Sequence, residues 1–456
     1  MTSLATRTRR TPRPDRWIGP TRMMLLTRKA RRSSDIGSLL RSVVRGNPNA
    51  VGVRLRGRHL LLLVDPALVG ELLIEHAGVT TKGPGMERTK HLLGDGLLTS
   101  EGADHRRARR LVAPAFSPRR LTGYVDQFAE RTAAHVAGWA DGETVDMHKE
   151  MATLTLDIVG HTLLGIDLRE RAPGIRSALE ATLAHFAATR PGFNGRGRQA
   201  RAATPEEVGV DTASLGALHD LVDEIIEQRR GNLSEDRGDV VSALLAASQE
   251  ADGLTDAEVH DHVITLLMAG HETTANALSW TLHLLGDHPE AQRKLHDELD
   301  GLDGRLPTSA DLPSLTYTRA VVSEGIRRYP PAWMIGRALS SDIEIGGWHV
   351  PAGSMIAASP LLMQHDPRWF PEPDSFDPDR WLDERRAAVP RHAYLPFGSG
   401  PRSCVGEQFA WAEAVTALAV IASRFTARTD PTHTVRPQYR ITMRPGNGIP
   451  MLLRAR

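Results

Sequence analysis

The sequence predicts a fold that is mainly α with a small β part, and three observations support this prediction. Helical patterns dominate the chain up to about residue 330. The longest of them begins at Thr255 and continues to about Gly286, well beyond the length of an average helix. Signals for short strands are confined to the segments 51–64, 342–360 and 440–454.

Length and composition place the chain among ordinary globular proteins. It has 456 residues, of which 41% are hydrophobic and 24% are charged. The 56 basic and 55 acidic residues leave a net charge of +1, so no overall field attracts nucleic acid. The single cysteine, Cys404, excludes an intrachain disulfide and leaves a thiol that is structural, reactive or a metal ligand.

The N-terminal segment differs in composition from the rest of the chain. Residues 1–35 are rich in arginine and are expected to form a basic, partly disordered arm, whereas residues 36–456 are expected to form a single domain. Neither part holds the apolar stretch of about 18 residues that a membrane span requires, and the arm lacks a signal-peptide core. We expect a cytoplasmic protein without a membrane span, and a monomer.

Each strand region carries its own turn signal. A hairpin is expected over 51–64 with its turn at 56–58, and a helix is expected to follow over 66–76. A Gly-Gly pair and a Pro-Ala-Gly turn separate short strands between 342 and 360. A second hairpin is expected over 440–454, around a Pro-Gly-Asn-Gly turn.

The long helix carries a start signal and an unusual centre. Thr255 and Glu258 have the spacing of a capping box, in which each side chain bonds the backbone N–H of the other residue. At about 1.5 Å per residue the helix would extend for roughly 50 Å, enough to cross a domain. Near its middle Gly270 is followed by Thr273 and Thr274, and a threonine hydroxyl can bond the carbonyl one turn earlier and open a local groove or kink.

A rival interpretation of this centre is a zinc-protease helix. His271 and Glu272 begin the pattern in which two histidines, four residues apart on one helix face, bind zinc. Ala275 stands where the second histidine is required, so this interpretation fails.

The segment 397–406 is the strongest chemical signal in the chain. It reads Phe-Gly-Ser-Gly-Pro-Arg-Ser-Cys-Val-Gly, and a helical pattern follows to about residue 424. The glycines let backbone approach a flat ligand, and Cys404 stands at a loop-to-helix junction, where N–H groups stabilise a thiolate. A single free cysteine is usually a small buried hydrophobe. Here, however, the pattern Phe-x-x-Gly-x-Arg-x-Cys-x-Gly resembles the haem-binding loop of the cytochrome P450 family, in which Cys404 takes the place of the axial iron ligand.

The resemblance extends over about residues 36–454 and implies the cytochrome P450 fold, a triangular, helix-rich prism with a long central helix over the haem. The cofactor would be haem b, iron protoporphyrin IX. Its two propionates need cations where they are buried. The resemblance assigns contacts with the haem to His105, Arg109, Arg337, Arg402, Phe397, Gly398 and Gly406.

The resemblance also assigns catalytic roles within the long helix. Residues 269–274, Ala-Gly-His-Glu-Thr-Thr, match the stretch that lies over the haem in this family, where O₂ binds. Thr273 would hold a proton-donating water, and Glu272 would relay protons from solvent, so that the O–O bond breaks heterolytically. His271 departs from the commonest pattern, in which this position is small or hydrophobic.

A second pair of charged residues is expected to be structural. Glu324 and Arg327 have i,i+3 spacing, which places them on one helix face. In the family such a pair joins a downstream arginine, for which Arg380 is the match. The three would form a buried ion network that braces the cysteine loop, and the loss of one member would leave the others charged and unpaired.

Family analogy places an apolar substrate pocket around the haem, which favours a compact hydrophobic substrate held by shape. The segments 82–84, 94–98 and 331–337 resemble those of bacterial terpene-oxidising members, so a terpenoid is the expected substrate. A steroid, a fatty acid or a polyketide-derived compound remains an alternative. The expected lining residues are Met86, Leu97, Leu98, Met268, Ala269, Trp333, Met334, Ile335 and Ile441.

The resemblance implies a haem-thiolate monooxygenase that takes O₂ and electrons from separate proteins. No segment resembles a flavin or iron–sulfur reductase, so the expected partners are a ferredoxin and a ferredoxin reductase, or a flavodoxin. A haem-binding sensor would have no need of Glu272 and Thr273. A non-oxidative haem enzyme and a peroxide-driven oxygenase remain alternatives.

Overall fold

The computed structural model describes residues 17–18, 36–46, 49–55, 58–87, 89–168, 174–175, 212–231 and 238–456. The chain divides into two compact units. The first unit consists of Met1–Gly83, Met334–Trp369 and Pro390–Ser403. The second unit consists of Pro84–Trp333, Phe370–Val389 and Cys404–Arg456.

The fold is mainly α with a small β part, as predicted, but several short strands lie outside the three segments in which strands were expected. The helices are α1 Ile36–Val44, α2 Pro66–Gly70, α3 Pro84–Glu87, α4 Lys90–Leu93, α5 Gly102–Val112, α6 Pro118–Val136, α7 Met147–Val159, α8 Thr212–Arg230, α9 Val240–Ser248, α10 Asp256–Gly286, α11 Pro289–Asp300, α12 Thr316–Arg328, α13 Pro360–Met363, α14 Asp383–Ala387 and α15 Glu407–Arg424. The strands are β1 Trp17–Ile18, β2 Ala50–Leu55, β3 Arg58–Leu63, β4 Thr80–Thr81, β5 Thr144–Asp146, β6 Ile335–Leu339, β7 Ile343–Ile345, β8 Trp348–Val350, β9 Met355–Ala358, β10 Phe425–Thr429, β11 Pro437–Tyr439, β12 Met443–Pro445 and β13 Pro450–Ala455. None of the described helices combines the length and the apolar character needed to cross a membrane.

The first unit is built on a six-stranded sheet in the order β1-β2-β3-β9-β6-β4. The predicted hairpin is confirmed, because β2 and β3 pair antiparallel with Leu55 opposite Arg58. The predicted helix over 66–76 is also confirmed: Asp65 caps α2 by accepting from the N–H of Ala67 at 2.8 Å, and a π-helical turn, Glu71–Glu75, continues it. The apolar core of this unit includes Leu61, Leu63, Val69, Leu72, Ile356 and Met363.

Two residues of the predicted N-terminal arm form a strand. Trp17 and Ile18 form β1, which pairs parallel with β2 opposite Gly52 and Val53. These two residues are therefore part of the sheet, because the exposed edge of β2 offers backbone partners that local sequence does not reveal. The rest of the predicted arm, 1–35, lies outside the described residues.

The long helix α10 organises the second unit. Its predicted start is confirmed, since Thr255 and Glu258 form both bonds of the capping box. It packs against α7, α12 and α15, and Trp280 stacks on Tyr329 with ring centroids 3.9 Å apart. The helix is unbroken through its polar centre, where the predicted bond from Thr273 to the carbonyl of Ala269 is present at 2.8 Å.

The C-terminal hairpin predicted over 440–454 is wrong. The first half of that segment contains β12, which pairs with β11 rather than with the second half. The second half is β13, which lies between β10 and β5 in a separate three-stranded sheet. The backbone leaves the β11–β12 sheet at Gly448 and Ile449, where the N–H of Ile449 donates to Asp146 at 3.0 Å. Alternation of apolar residues predicts a strand but does not identify its partner.

Candidate active site

Cys404 lies between a 3₁₀ turn, Gly400–Arg402, and the start of α15, for which Gly406 is the N-cap. The thiol is accessible to solvent, although protein surrounds it and its desolvation raises its pKa. The backbone N–H of Gly406 and the charge of Arg109 oppose this rise, because both favour the thiolate. The loop therefore presents a reachable sulfur with groups that stabilise its anion.

Two glycines of the first unit shape the loop that precedes Cys404 in the sequence. Gly398 and Gly400 have φ values of +70° and +72°, in the left-handed region that favours glycine. At Gly400 a Cβ would lie 2.1 Å from the carbonyl oxygen of Leu73, so no larger residue fits. Beside Gly398 the described chain has no heavy atom within 4 Å of a Cβ position. Phe397, next to it, is partly buried.

Helix α5 carries two of the candidate haem-binding residues. His105 is buried, and Arg109, one turn later, is partly buried and close enough to Cys404 for its charge to act on the thiol. The intervening Arg107 donates to the carbonyl of Gly253 at 2.8 Å and pairs with Glu258, the acidic member of the α10 capping box. Helix α5 is thus fastened to the start of α10.

The other two candidate cations belong to the first unit. Arg337 is on β6 and is buried, and its Nη1 donates to the carbonyl of Gly336 at 2.8 Å. Arg402 lies in the 3₁₀ turn before the cysteine and is partly buried. A role of His105, Arg109, Arg337 and Arg402 in holding propionates stays a prediction.

The centre of α10 exposes one short patch along an otherwise buried stretch. Residues 262–267 and 274–282 are buried, whereas Ala269 is exposed and Met268, Gly270 and Thr273 are partly exposed. Spacings of three and four residues place Ala269, Gly270 and Thr273 on neighbouring parts of the helix surface. Thr273 donates its hydroxyl proton to Ala269, so its oxygen lone pairs remain able to accept.

Glu272 lies beside this patch but is itself buried. Its Oε1 accepts a hydrogen bond of 2.8 Å from the hydroxyl of Thr442, in the turn between β11 and β12. Asn276, one turn along α10, donates to Thr442 Oγ1 at 3.2 Å. Burial raises the pKa of Glu272, and these two polar neighbours together with Arg440 and Arg444 oppose the rise.

Sequence reasoning missed Thr442 and Asn276. Asn276 could have been found, since it follows Glu272 by four residues and is a lone amide in an apolar helical stretch. Thr442 has no comparable signal, because it reaches Glu272 from 170 positions away.

The predicted ion network is present in the second unit. Arg327 forms two bonds of 2.8 Å with Glu324, and Arg380 reaches the same carboxylate at 3.2 Å. The indole of Trp381 and the backbone N–H of Asp377 complete the shell of Glu324, at 2.9 and 3.0 Å. Arg327 and Arg380 also donate to carbonyl oxygens of the segment 372–375, so the network ties this segment to α12.

The candidate substrate residues differ in how accessible they are. Leu97 and Trp333 are buried, and the Trp333 indole donates to the carbonyl of Arg440 at 2.9 Å. The partly exposed candidates in the second unit are Met86, Leu98, Met268 and Ile441. Met334 and Ile335, in the first unit, are also partly exposed.

These residues fit a haem with a thiolate ligand. In the second unit, Cys404 is reachable, with an N–H and a cation beside it. In the first unit, taken by itself, the space next to Gly398 is open where any other residue would place a side chain. Cys404 and Gly406 would hold the iron side, and His105, Arg109, Arg337 and Arg402 would supply the positive charge that propionates need.

Comparison with known proteins identifies the family of this chain. The family model for cytochrome P450 matches residues 21–450. Cyclooctatin synthase of Streptomyces melanosporofaciens is 40% identical over 87% of this chain and 86% of its own length. Pentalenene oxygenase of Streptomyces avermitilis is 36% identical over 85% of this chain and 86% of its own.

A solved structure agrees over almost the same length. The haem domain of cytochrome P450DA superposes with a TM-score of 0.82 and 28% identity, covering 92% of this chain and 93% of that one. The long helix with its polar centre, the buried ion network and the cysteine loop are all features that the resemblance predicted. The chain therefore belongs to the cytochrome P450 family of haem-thiolate monooxygenases.

Proposed function

We propose that this monooxygenase inserts one oxygen atom from O₂ into a terpenoid. The observation that carries the proposal is what the relatives of this chain are named for oxidising. Besides the two already described, a cyclooctat-9-en-7-ol 5-monooxygenase of Streptomyces melanosporofaciens is 39% identical over 84% of both chains. Pentalenene and the cyclooctat-9-ene skeleton are terpenoid carbocycles, and oxidation of such a ring system is the reaction we assign to this chain.

The accessible side chains support an apolar substrate. The exposed patch of α10 presents Met268, Ala269 and Gly270, and Met86, Leu98 and Ile441 are partly exposed in the same unit. None of these six side chains is charged. A pocket lined by these residues would hold its substrate by shape and by burial of apolar area.

The protein's own contribution to the chemistry begins at Cys404. When bound, haem would supply the chemistry that activates O₂, and the Cys404 thiolate would hold its iron. Burial and the Glu407 carboxylate disfavour that thiolate, whereas the N–H of Gly406 and the charge of Arg109 favour it. Gly406 is the N-cap of α15, whose N-terminal dipole also favours the thiolate. Arginines near the propionates would balance the negative charge that the cofactor brings.

Proton handling falls to α10. Thr273 Oγ1, which donates to Ala269, can accept a hydrogen bond from a water at the exposed patch and orient it. Glu272 holds its proton more firmly than an exposed carboxyl because it is buried, which suits a group that must deliver protons near neutral pH. We assign water positioning to Thr273 and proton supply to Glu272.

Thr273→Ala tests this assignment. We expect product formation per NADPH to fall severalfold and peroxide release to rise, because the water is no longer held. The measurement is product and peroxide per NADPH consumed. The control is Thr153→Ala, because Thr153 is a partly exposed threonine of α7 that also bonds an i−4 carbonyl. Unchanged coupling in Thr273→Ala would show that the hydroxyl does not act on the reaction.

Cys404 is tested by spectroscopy. The reduced, CO-bound protein should show the Soret band of a thiolate-ligated ferrous haem, and Cys404→Ala should lose it. A Cys404→Ala protein that kept this band would contradict the assignment of the ligand.

Substrate class is tested by a binding screen. Sesquiterpenes, diterpene alcohols, steroids and fatty acids are added separately to the ferric enzyme, and the low-to-high-spin shift is recorded. We expect terpenoids to give the largest shift at the lowest concentration and to yield hydroxylated products on turnover. A response to fatty acids alone would overturn the terpenoid proposal.

We further propose that electrons come from a ferredoxin with its reductase, or from a flavodoxin, in the cytoplasm. Turnover reconstituted with each carrier in turn checks this. Reduction by neither carrier would contradict it.

A further inference from the structure

A chain of three hydrogen bonds ends on the carboxyl group of Glu272. His148 Nε2 lies 3.2 Å from Asn276 Oδ1, Asn276 Nδ2 donates to Thr442 Oγ1 at 3.2 Å, and Thr442 Oγ1 donates to Glu272 Oε1 at 2.8 Å. The members come from α7, from α10 and from the turn between β11 and β12, all in the second unit.

The chain has a fixed direction. A hydroxyl has one proton, and Thr442 gives it to Glu272 while accepting from the amide of Asn276. The amide therefore turns its oxygen toward His148, which acts as the donor at the outer end. Every donor points inward, so Oε1 of Glu272 serves as an acceptor.

This series of hydrogen bonds is unsuited to carrying protons. An amide nitrogen donates a hydrogen bond but does not readily accept and release a proton as a hydroxyl or an imidazole does, so transfer stops at Asn276. Glu272, Asn276 and Thr442 are buried, whereas His148 is partly exposed, so the chain anchors the carboxyl group to the outer part of the unit. The hydrogen bonds are suited to holding the Glu272 carboxyl group in one orientation rather than to moving protons.

We propose that Thr442, supported by Asn276 and His148, is a positioning residue that holds Oε1 of Glu272 and leaves Oε2 as the oxygen that carries and exchanges the catalytic proton. This inference rests on the proton-supplying role proposed for Glu272. Burial of the carboxyl favours its protonated form, and the inward-pointing Thr442 hydroxyl directs that proton to Oε2. A rotation of Glu272 about its side chain would break the bond to Thr442 in a buried site, which is costly.

The test uses Thr442→Val, which removes the hydroxyl and nearly keeps the volume, and Thr442→Ser, which restores the hydroxyl. The first readout is the infrared carbonyl band of protonated Glu272 in the resting holoenzyme, identified by its loss in Glu272→Gln. We expect Thr442→Val to shift the band to higher wavenumber, since the carbonyl oxygen loses its donor. Thr442→Ser should stay at the wild-type position.

The matched control is Thr281→Val, because Thr281 is a buried threonine on the same helix whose hydroxyl donates to Ala277 at 2.7 Å. It should leave the band in place. Asn276→Ala provides a second variant, for which we expect a smaller shift in the same direction. A band that does not move in Thr442→Val, or that moves equally in Thr281→Val, would overturn the proposal.

The second readout is catalytic. Thr442→Val should lower product per NADPH severalfold with the spectral dissociation constant of the substrate unchanged, and Thr442→Ser should restore coupling. Equal loss in both variants would contradict positioning by the hydroxyl. The infrared measurement needs no turnover, so a failure of the terpenoid proposal leaves this test intact.

Discussion

At the scale of single residues, Glu413 in α15 shows how burial raises the pKa of a carboxyl group. Its side chain is completely buried, and within the part of the chain that the structure describes neither carboxyl oxygen has a hydrogen-bond partner. Desolvation raises the pKa of Glu413 to about 8, and the nearby Thr274 opposes only part of this rise. The carboxyl is therefore neutral in the folded protein at pH 7.

Glu413→Gln should change how stability depends on pH. Because the folded pKa of about 8 exceeds the unfolded value of 4.5, the acid's contribution is fully present below pH 4.5 and is lost as pH rises through 8. We expect wild type to lose on the order of 3 kcal/mol relative to Glu413→Gln between pH 5 and pH 8. Unfolding by urea at several pH values measures this.

The control for Glu413→Gln is Glu130→Gln, an exposed position on α6. Its stability should follow wild type at every pH. A pH profile of Glu413→Gln parallel to that of wild type would contradict a neutral buried Glu413.

Arg327 illustrates the opposite case, a buried charge that is fully paired. Arg327→Met should cost about 3–5 kcal/mol of unfolding free energy, because Glu324 and the carbonyls of Pro373 and Ser375 lose a buried donor. Arg385→Met, which removes an exposed partner of Asp377, should cost less than about 1 kcal/mol. Equal unfolding midpoints for the two variants would show that the buried network adds nothing to stability.

At the scale of helices, α10 and α12 approach so closely that one position tolerates only glycine. A Cβ at Gly325 would lie 2.0 Å from the hydroxyl of Thr281 and 3.1 Å from its Cα. Contact between backbones lets the two helices bury their apolar sides against each other, and Trp280 on α10 stacks on Tyr329 beside this crossing.

Gly325→Ala should destabilise the protein by about 1–3 kcal/mol, because α12 must move away from α10. The matched variant is Gly123→Ala on the exposed face of α6, where a Cβ would meet nothing within 4 Å. That change should stabilise by about 0.5–1 kcal/mol, since alanine favours helix. Thermal unfolding of both variants distinguishes packing from propensity, and a stabilised Gly325→Ala would refute the close approach.

At the scale of the whole molecule, contacts between distant parts of the sequence determine which strands pair. Asp146 ends β5 and accepts from the N–H of His148 at the start of α7 and from the N–H of Ile449 before β13. A Cβ at Gly448 would lie 2.7 Å from the Asp146 carboxylate. One carboxylate therefore joins a helix cap to the C-terminal strand.

Asp146→Ala should lower the unfolding free energy by about 2 kcal/mol, roughly half from the lost helix cap and half from the unpaired N–H of Ile449. Asp430→Ala is the control, because the carboxylate of Asp430 accepts from the N–H and the hydroxyl of Thr432, only two residues away along the chain. It should have a clearly smaller effect. Chemical denaturation measures both, and equal losses would mean that the link to the C-terminal strand contributes nothing.

Much of the fold was predictable wherever the signal was local. The capping box at Thr255 and Glu258, the length of α10 and the β2–β3 hairpin depend on residues a few positions apart, and each is present. The network of Glu324, Arg327 and Arg380 was predictable only because a family pattern links its distant third member. The C-terminal hairpin was mispredicted, because β13 found its partners in β10 and β5.

By itself, the sequence determined the family, the candidate iron ligand Cys404 and the polar centre of α10, since each is a pattern of residue types at short, fixed spacing. Only the tertiary structure decided that Thr442 bonds Glu272 and that Arg107 fastens α5 to the α10 cap. The physical reason is that a hydrogen bond between residues 170 positions apart depends on how the chain packs, and no local periodicity encodes that packing.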